Sequence, residues 1–385
     1  MSDRMVQHGG PDGGAAIHWD FSTNANPLPL PDALVQALNA ADRRRYPDPG
    51  YAALREQLAG RWGCRAGDVH VTAGSAEAIR RLTLAARLQG VHQVWVPEPG
   101  YGDYRAAAEA LGMTVRGWRT EAELRAALER HGSLTEPVLC WLCDPNNPTG
   151  DSLSTDTVQA LVAALDAGAR LTVALDRAYS PLRLRGEDPV VSRCAVRFWQ
   201  LWSPNKALGV TGVRAGAMQA PSLPAGLVTA SWHAEVARSV GLLAPSWVLS
   251  AEGVALLQAW HTEPVQNWLA DARLTLAEWA AMQRAMLTAR GWHCAPSDTP
   301  FFMATPPWLH HRGPEPTGLD RSLQLDVRLR ARGIRLREAT SFGLPGVFRL
   351  SAQAPVAQRV LLDALGHWRP GPQEGLPHHD QERST

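Results

Sequence analysis

Short apolar runs alternate along the chain with stretches in which apolar residues recur at helical spacing. The apolar runs predict buried strands at residues 91–96, 138–142, 171–175 and 198–202. The intervening stretches predict helices at residues 76–88, 104–111 and 155–165, with Ser154 as the N-cap of the last one. Strands that alternate with helices predict an α/β domain with a mostly parallel central sheet between helices.

The pattern changes after residue 246, where long helical stretches cover residues 251–260 and 265–290. A strand at 301–305, a helix at 322–332 and a strand at 347–351 then predict a smaller C-terminal α+β domain. The first forty residues are rich in Gly, Pro and Asn and predict an extended arm without packed elements. The expected division is an arm at 1–40, a large domain at 41–245, a connecting long helix at 246–280, a small domain at 281–368 and a disordered tail at 369–385.

The composition limits the classes of protein to consider. The chain has 385 residues, of which 45% are hydrophobic, and 38 basic side chains balance 37 acidic ones. Nucleic-acid or polybasic membrane binding would need a basic excess, so neither partner is expected. The sequence has no apolar run of about 18 residues and no signal-peptide pattern, which favours a cytoplasmic protein.

The five cysteines are scattered along the chain, which is typical of reduced thiols in a cytoplasm. Cys140 and Cys143 form a CxxC pattern, but they lie on a predicted strand, where this odd spacing directs the side chains to opposite faces. We therefore expect no metal site.

Lys206 is the only lysine among the 38 basic residues. Arginine supplies a permanent positive charge, whereas lysine can lose its proton and act as a nucleophilic amine. A chain that uses arginine for every other positive charge indicates that position 206 needs a primary amine.

Polar residues follow several of the predicted strands, where ligands bind in parallel sheets. Gly74 and Ser75 precede a helix, and free N–H groups at a helix N-terminus favour an anion, although an ordinary capped helix has the same pattern. Asn147 lies in a turn stiffened by two prolines. Asp176 ends an apolar strand, where a carboxylate needs a cationic partner. The segment from Ser203 to Lys206 is followed by an arginine, Arg214.

This set of groups matches the needs of pyridoxal 5'-phosphate (PLP). The aldehyde requires an amine, the pyridine nitrogen requires a carboxylate, and the phosphate requires a helix N-terminus with an arginine. The ring hydroxyl requires neutral donors, and an aromatic side chain can cover the ring face.

The motifs NNPTG, DxxY, SxNK and RxG occur in the order and spacing of fold-type I PLP enzymes, and the chain resembles this aspartate aminotransferase superfamily over residues 8 to 365. The resemblance implies an aspartate-aminotransferase-like fold in which Lys206, Asp176 and Tyr101 act in catalysis. It implies that Lys206 forms a Schiff base with PLP and that Asp176 holds the pyridine nitrogen. The implied cofactor-binding set is Gly74, Ser75, Tyr101, Asn147, Asp176, Tyr179, Ser203, Lys206, Arg214 and, from the neighbouring subunit of a homodimer, Tyr46.

The simpler structural roles remain open for several of these residues. Tyr101 could be a core aromatic, and Arg214 could be a surface ion-pair partner. The sequence also departs from the family where Arg177 follows Asp176, since the family often has a glutamate there. The arginine changes the charge beside the predicted site.

The N-terminal arm contains HGG at residues 8–10 and DFSTNANP at residues 20–27, which resemble the threonine-phosphate decarboxylases of cobalamin biosynthesis. These enzymes are close relatives of histidinol-phosphate aminotransferase. The resemblance implies that the arm closes the site and that the substrate contacts are His8, Gly9, Asn26, Asn147, Arg337 and Arg349. A disordered terminus is the simpler explanation of His8.

The resemblance implies PLP-dependent decarboxylation of L-threonine O-3-phosphate to (R)-1-aminopropan-2-yl phosphate. This phosphorylated amino acid has two anionic groups for two arginines to hold. The alternative is a PLP-dependent aminotransferase that acts on histidinol phosphate or a related amino acid. A regulatory protein with a PLP-enzyme-like domain would require a DNA-binding module, for which the arm is too short and not basic. A structural homologue without activity would be expected to lose Lys206.

Overall fold

The computed structural model of the protein describes residues 8–130, 136–190, 194, 196–223, 226–310 and 318–366. These residues contain a large sheet, a small sheet and a pair of short strands. The strands are β1 (Trp19–Asp20), β2 (Val69–Thr72), β3 (Gln93–Pro97), β4 (Thr114–Trp118), β5 (Val138–Cys143), β6 (Leu171–Asp176), β7 (Trp199–Trp202), β8 (Gly216–Gln219), β9 (His293–Cys294), β10 (Phe301–Thr305), β11 (Ile334–Arg335), β12 (Arg337–Glu338) and β13 (Phe348–Ser351). The helices are α1 (Asp32–Asn39), α2 (Ala52–Trp62), α3 (Ser75–Leu88), α4 (Gly102–Glu109), α5 (Glu121–Arg130), α6 (Thr155–Asp166), α7 (Ala230–Leu242), α8 (Ala251–Trp260), α9 (Glu263–Thr288), α10 (Gly318–Ala331) and α11 (Pro355–Gly366). The predicted tail at 369–385 lies outside the described residues.

The large sheet has seven strands in the order β2-β8-β7-β6-β5-β3-β4. Strand β8 is antiparallel to both of its neighbours, and the other adjacent pairs are parallel. This confirms the predicted mostly parallel sheet. Its parallel strands direct the carboxyl ends of β5, β6 and β7 to one edge, where the polar segments follow.

Helices cover both faces of the large sheet, so every residue of β5 and β6 is buried. Helices α3, α4 and α7 share a core with one face, and α5 and α6 share a core with the other. Cys140 and Cys143 fall in these two different cores, as their spacing predicted. The hydroxyl oxygen of Ser154 accepts a hydrogen bond from the N–H of Thr157, which confirms the predicted N-cap.

Helices α8 and α9 correspond to the predicted helical stretches at 251–260 and 265–290, and the expected connecting segment at 246–280 is divided between them. Pro264 lies in the first turn of α9. A proline lacks the N–H that a helix interior needs but fits the first turn, so it begins a new helix. The break between α8 and α9 therefore follows from the sequence.

The C-terminal region forms a four-stranded antiparallel sheet in the order β12-β13-β10-β9. Helices α10 and α11 and the end of α9 pack with its strands in one hydrophobic core. This α+β arrangement matches the predicted smaller region. Among the described residues, no helix combines the length and apolar character needed to cross a bilayer.

The N-terminal arm is packed, and the prediction of an arm without packed elements was wrong. Strand β1 pairs in parallel with β11, and Phe21 is fully buried in the C-terminal core. Helix α1 buries Leu34 in another core that includes residues of α2 and α8. The Gly and Pro content of this segment concealed these elements because each is short and is stabilised by distant partners.

Candidate active site

A cavity of about 720 Å³ opens at the carboxyl ends of β5, β6 and β7. Predicted site residues from the arm, the large sheet and the C-terminal region meet there. Those that line the cavity are His8, Gly9, Ser75, Tyr101, Asn147, Asp176, Tyr179, Ser203, Lys206, Arg214, Arg337 and Arg349.

The side chain of Lys206 reaches this cavity from the turn after β7. Its backbone carbonyl accepts a hydrogen bond of 2.8 Å from the N–H of Asn26. Burial, followed by the positive charges of Arg349 and Arg214, lowers the pKa of the amine to about 8. Roughly a tenth of the amine is therefore neutral and nucleophilic at pH 7, against well under a thousandth for an ordinary lysine.

Asp176 places a buried carboxylate at the end of β6, with 3% of the residue exposed. One carboxylate oxygen accepts a hydrogen bond from the hydroxyl of Tyr104 and the other accepts one from the N–H of Ala178, both at 2.9 Å. Burial nevertheless raises the pKa of the carboxyl group to about 6. A cation at this position would favour the ionised form, which fits a protonated pyridine nitrogen.

Arg177 is directed away from the cavity, so its positive charge does not change the charge of the cavity lining beside Asp176. Its guanidinium forms an ion pair with Asp188 at 2.5 Å and lies 4.9 Å from the ring centroid of Trp202. The departure from the family pattern beside Asp176 therefore leaves the cavity lining unchanged.

Asn147 and Tyr179 occupy the same region of the cavity and are both buried. The side-chain oxygen of Asn147 accepts a hydrogen bond of 2.6 Å from Arg349. Tyr179 packs edge-on against Phe301, and burial raises the pKa of its phenol to about 12. Both side chains can therefore offer neutral donors to a ring oxygen.

A set of groups suited to a phosphate lies at the N-terminus of α3. Gly74 caps this helix with a φ of 85°, and a Cβ atom there would lie 2.6 Å from the guanidinium of Arg214. The hydroxyl of Ser75 is buried without a protein partner. The hydroxyl of Ser203 donates to the side chain of Asn205 at 2.8 Å. An orphaned hydroxyl, free N–H groups and a guanidinium together fit a bound phosphate.

Tyr101 lies between the large domain and the arm. Its ring centroid is 5.7 Å from that of Tyr104 and 5.7 Å from that of His8. Burial, together with the negative charge of Asp103, raises the pKa of the Tyr101 phenol. Tyr101 therefore remains a neutral aromatic side chain at the cavity wall.

Two arginines from the small sheet face the cavity. The guanidinium carbons of Arg337 and Arg349 lie 5.1 Å and 5.6 Å from the ring centroid of Phe342. Arg337 also donates to the hydroxyl of Ser341. Both guanidiniums can bind anions that enter the cavity.

Three of the predicted residues are not among those that line the cavity within one chain: Gly74, which caps α3, Asn26 and Tyr46. Asn26 lies behind Lys206, where its side chain donates to the carbonyl of Ala207 at 3.1 Å and accepts from the N–H of Leu28 at 3.0 Å. The predicted substrate contact of Asn26 is therefore replaced by a structural role in positioning the lysine turn. Tyr46 is 78% exposed and stacks on Trp247 outside the cavity.

The sequence interpretation missed Asp103, Tyr104 and Phe342, which also line the cavity. Tyr104 lies in the first turn of α4, three residues after the N-cap Tyr101, and this short distance along the chain could have indicated a shared site. Asp103 and Phe342 carry no such signal, because their position depends on how α4 and the small sheet approach the cavity. Among the described residues, no cluster of metal-binding side chains is present.

The fold and these groups together define a PLP-dependent enzyme with the lysine, carboxylate and phosphate sites on one large sheet. The family model "Aminotransferase class I and II" matches residues 17–366, and the chain belongs to this family. The family and the fit of the site confirm pyridoxal 5'-phosphate as the cofactor and confirm the predicted aminotransferase fold.

The chain is also similar in sequence or in fold to individual enzymes of this kind. The chain is 29% identical over 362 residues to a histidinol-phosphate aminotransferase from Symbiobacterium thermophilum, covering 90% of this chain and 89% of that protein. The L-threonine-O-3-phosphate decarboxylase from Porphyromonas gingivalis has a similar fold, with a TM-score of 0.66 at 21% identity over 87% of this chain and 93% of that one. Histidinol-phosphate aminotransferase from Sinorhizobium meliloti, solved with pyridoxal-5'-phosphate, gives a TM-score of 0.71 at 20% identity over 91% of each chain.

We predict that PLP attaches covalently to Lys206. Borohydride reduction followed by peptide mass spectrometry should place the label on the one peptide that contains this lysine. Lys206→Arg keeps the positive charge but removes the nucleophilic amine, so it should abolish both the label and the visible absorbance band. A label found only at the N-terminal amine would contradict the assignment.

The rate of cofactor loading should depend on pH through the lowered pKa of Lys206. Only the neutral amine attacks the aldehyde, so loading of the cofactor-free protein should speed up with rising pH, with its midpoint at about pH 8 and a plateau roughly one unit higher. An unperturbed lysine, with a pKa of about 10.4, would instead show its midpoint about two pH units higher. Stopped-flow absorbance with N-acetyl-lysine as the control amine measures the difference. A midpoint that coincides with the control would show that the cavity does not perturb Lys206.

Proposed function

We propose that this protein is a carbon–carbon lyase that decarboxylates L-threonine O-3-phosphate to (R)-1-aminopropan-2-yl phosphate and CO₂, in the cytoplasm and in cobalamin biosynthesis. The observation that supports this proposal best is the position of the arm. His8 and Gly9 line the same cavity as Lys206 and the two arginines, Arg337 and Arg349. The arm can therefore cover a small substrate that is held by its two anionic groups.

The charges of the cavity favour a substrate with two anions. The two guanidinium N–H₂ groups of Arg349 donate to neutral acceptors, Asn147 Oδ1 and Ser22 O, each at 2.6 Å. Neutral acceptors leave the positive charge of Arg349 available to a carboxylate or a phosphate. Arg337 supplies a second guanidinium over the shared ring of Phe342. L-threonine O-3-phosphate carries both a carboxylate and a phosphate, whereas histidinol phosphate carries only the phosphate.

The residues of the chain have separate tasks in this reaction. When bound, PLP supplies an aldehyde for the substrate amine and a ring that accepts the electrons of the broken Cα bond. Asp176 would keep a positive charge on the ring nitrogen, and Tyr101 would exclude water from the ring. The amine of Lys206, with its pKa lowered to about 8, can deliver a proton to the substrate Cα after CO₂ has left.

The second candidate is an aminotransferase that acts on histidinol phosphate or a related amino acid. The observation in its favour is the sequence similarity to proteins named histidinol-phosphate aminotransferase, two of which match 90% of the chain at 29% and 30% identity. In this reaction the same lysine would remove the Cα proton instead of delivering one.

We predict that the purified enzyme releases CO₂ from L-threonine O-3-phosphate and forms one equivalent of amine. Isotope-labelled carboxylate measures the CO₂, and mass spectrometry identifies aminopropanol phosphate. The matched reaction contains histidinol phosphate with 2-oxoglutarate and is assayed for glutamate. Glutamate formation without CO₂ from phosphothreonine would overturn the lyase proposal and support the aminotransferase.

We further propose that the enzyme is a homodimer in which Tyr46 reaches the phosphate site of the neighbouring subunit. Tyr46 and Trp247 form an exposed stacked pair with ring centroids 4.4 Å apart, and exposed aromatic surface is typical of a protein interface. Tyr46→Ala and Lys206→Ala should each be inactive. After subunit exchange, mixed dimers hold one intact site, so about a quarter of the wild-type activity should return. A monomer in light scattering, or no recovery on mixing, would contradict shared sites.

A further inference from the structure

The first residues of the described chain form a short segment, residues 8–14, that we call the strap. The strap lies against Ser22 and Thr23 beside the cavity. The N–H of Gly10 donates to the hydroxyl of Ser22 at 2.8 Å, and the φ of Gly10 is +91°. A Cβ atom on Gly9 would collide with the carbonyl oxygen of Ser22. Both glycines of the HGG element are therefore required by close approach and by backbone conformation.

Asp12 connects the strap to the small domain through two arginines. Its Oδ1 accepts hydrogen bonds from Arg330 in α10 at 2.7 Å and from the N–H of Gly14 at 3.0 Å. Its Oδ2 accepts a hydrogen bond from Arg335 in β11. The Asp12 side chain is 38% exposed, and the two arginine side chains are 17% and 16% exposed. Because one carboxylate binds two largely buried guanidiniums, this contact is stronger than an isolated surface ion pair.

We propose that Asp12 is a positioning residue that fixes the strap across the cavity and thereby places His8 beside the substrate. This inference rests on the proposed function, in which the substrate lies between His8 and the arginines. Three residues lie between His8 and Asp12, and the four steps from one to the other span at most about 14 Å when fully extended. An anchored Asp12 therefore confines His8 to the region of Tyr101, where its ring centroid lies 5.7 Å away.

The composition of the strap explains why it needs a charged anchor. It contains the glycines at positions 9, 10, 13 and 14, and glycine loses more conformational entropy on ordering than any other residue. Gly13 and the side chains beside it are exposed, so burial of apolar surface contributes little. The hydrogen bond from Gly14 and the charges of Arg335 and Arg330 lower the pKa of Asp12, which agrees with a carboxylate that is held in its ionised form.

The first experiment compares Asp12→Asn with Asp12→Glu in the PLP-loaded enzyme. We expect Asp12→Asn to lower kcat/KM about tenfold, mainly through a higher KM, with an unchanged cofactor absorbance band. Asp12→Glu keeps the charge and should recover most of this loss. The matched control is Glu235→Gln, which removes the exposed Glu235–Arg238 ion pair remote from the cavity and should have no effect. Equal kcat/KM values for wild type and Asp12→Asn would overturn the inference.

A double-mutant cycle tests whether Asp12 acts through His8. If it does, His8→Ala should remove the benefit of the anchor, and the His8→Ala/Asp12→Asn double variant should be no worse than His8→Ala alone. Losses that multiply in the double variant would show that Asp12 acts independently of His8 and would contradict the inference.

Hydrogen exchange gives a measurement that is independent of the reaction. Asp12→Asn should speed exchange at the amides of Gly10 and Gly14, because both depend on an ordered strap. The amides of Trp19 and Phe21 bond to the carbonyls of Gly333 and Arg335 and should stay protected, which provides an internal control. Unchanged exchange in the strap would overturn the anchor even if the enzyme released no CO₂. Faster exchange without lyase activity would instead retain the anchor and reject the proposed reaction.

Discussion

The guanidinium of Arg349 joins the three parts of the chain that build the cavity. It extends from β13 in the small sheet and donates to Asn147 after β5 and to the carbonyl of Ser22 in the arm. Only 5% of Arg349 is exposed, and burial lowers its pKa to about 10. The arm and the Asn147 loop each supply an acceptor for one of its N–H₂ groups, which stabilises both segments in their observed positions. Removal of either acceptor would leave one N–H₂ group of a buried guanidinium without its partner.

Burial shifts the pKa values of the two central ionisable groups toward their neutral forms. Burial lowers the pKa of Lys206 to about 8 and raises the pKa of Asp176 to about 6. The neutral lysine is the form that attacks an aldehyde, and the carboxylate regains its charge when a pyridine cation binds beside it. The same desolvation therefore favours the nucleophilic form of Lys206 and makes the charge of Asp176 depend on a cation beside it.

Much of the fold could be predicted from the sequence because the strands of the large sheet are continuous apolar runs and its helices have clear spacing. The polar residues at the strand ends could be grouped for the same reason, since parallel strands bring their carboxyl ends together. Helix α1 and the structural role of Asn26 could not be predicted, because each depends on a partner far away in the chain. The outward direction of Arg177 depends on how the chain turns back after β6 to bring Asp188 beside it, which the local pattern does not indicate. The role of Asp12 was hidden for the same reason, since Arg330 follows it by 318 residues.

The division of the site between two structural units bears on the choice of reaction. The lysine, the carboxylate and the groups suited to a phosphate belong to the large sheet, so this unit would hold the cofactor. Arg337 and Arg349 belong to the small sheet, and the arm is attached to the same unit through β1, Phe21 and Asp12. In the proposed function, the small unit and the arm would hold the anions of the substrate, and the large sheet would hold PLP. The relative position of the two units would then set which bond at the substrate Cα faces the cofactor. The contacts that hold the arm and the small sheet against the large sheet would therefore bear on the choice between loss of CO₂ and loss of a proton.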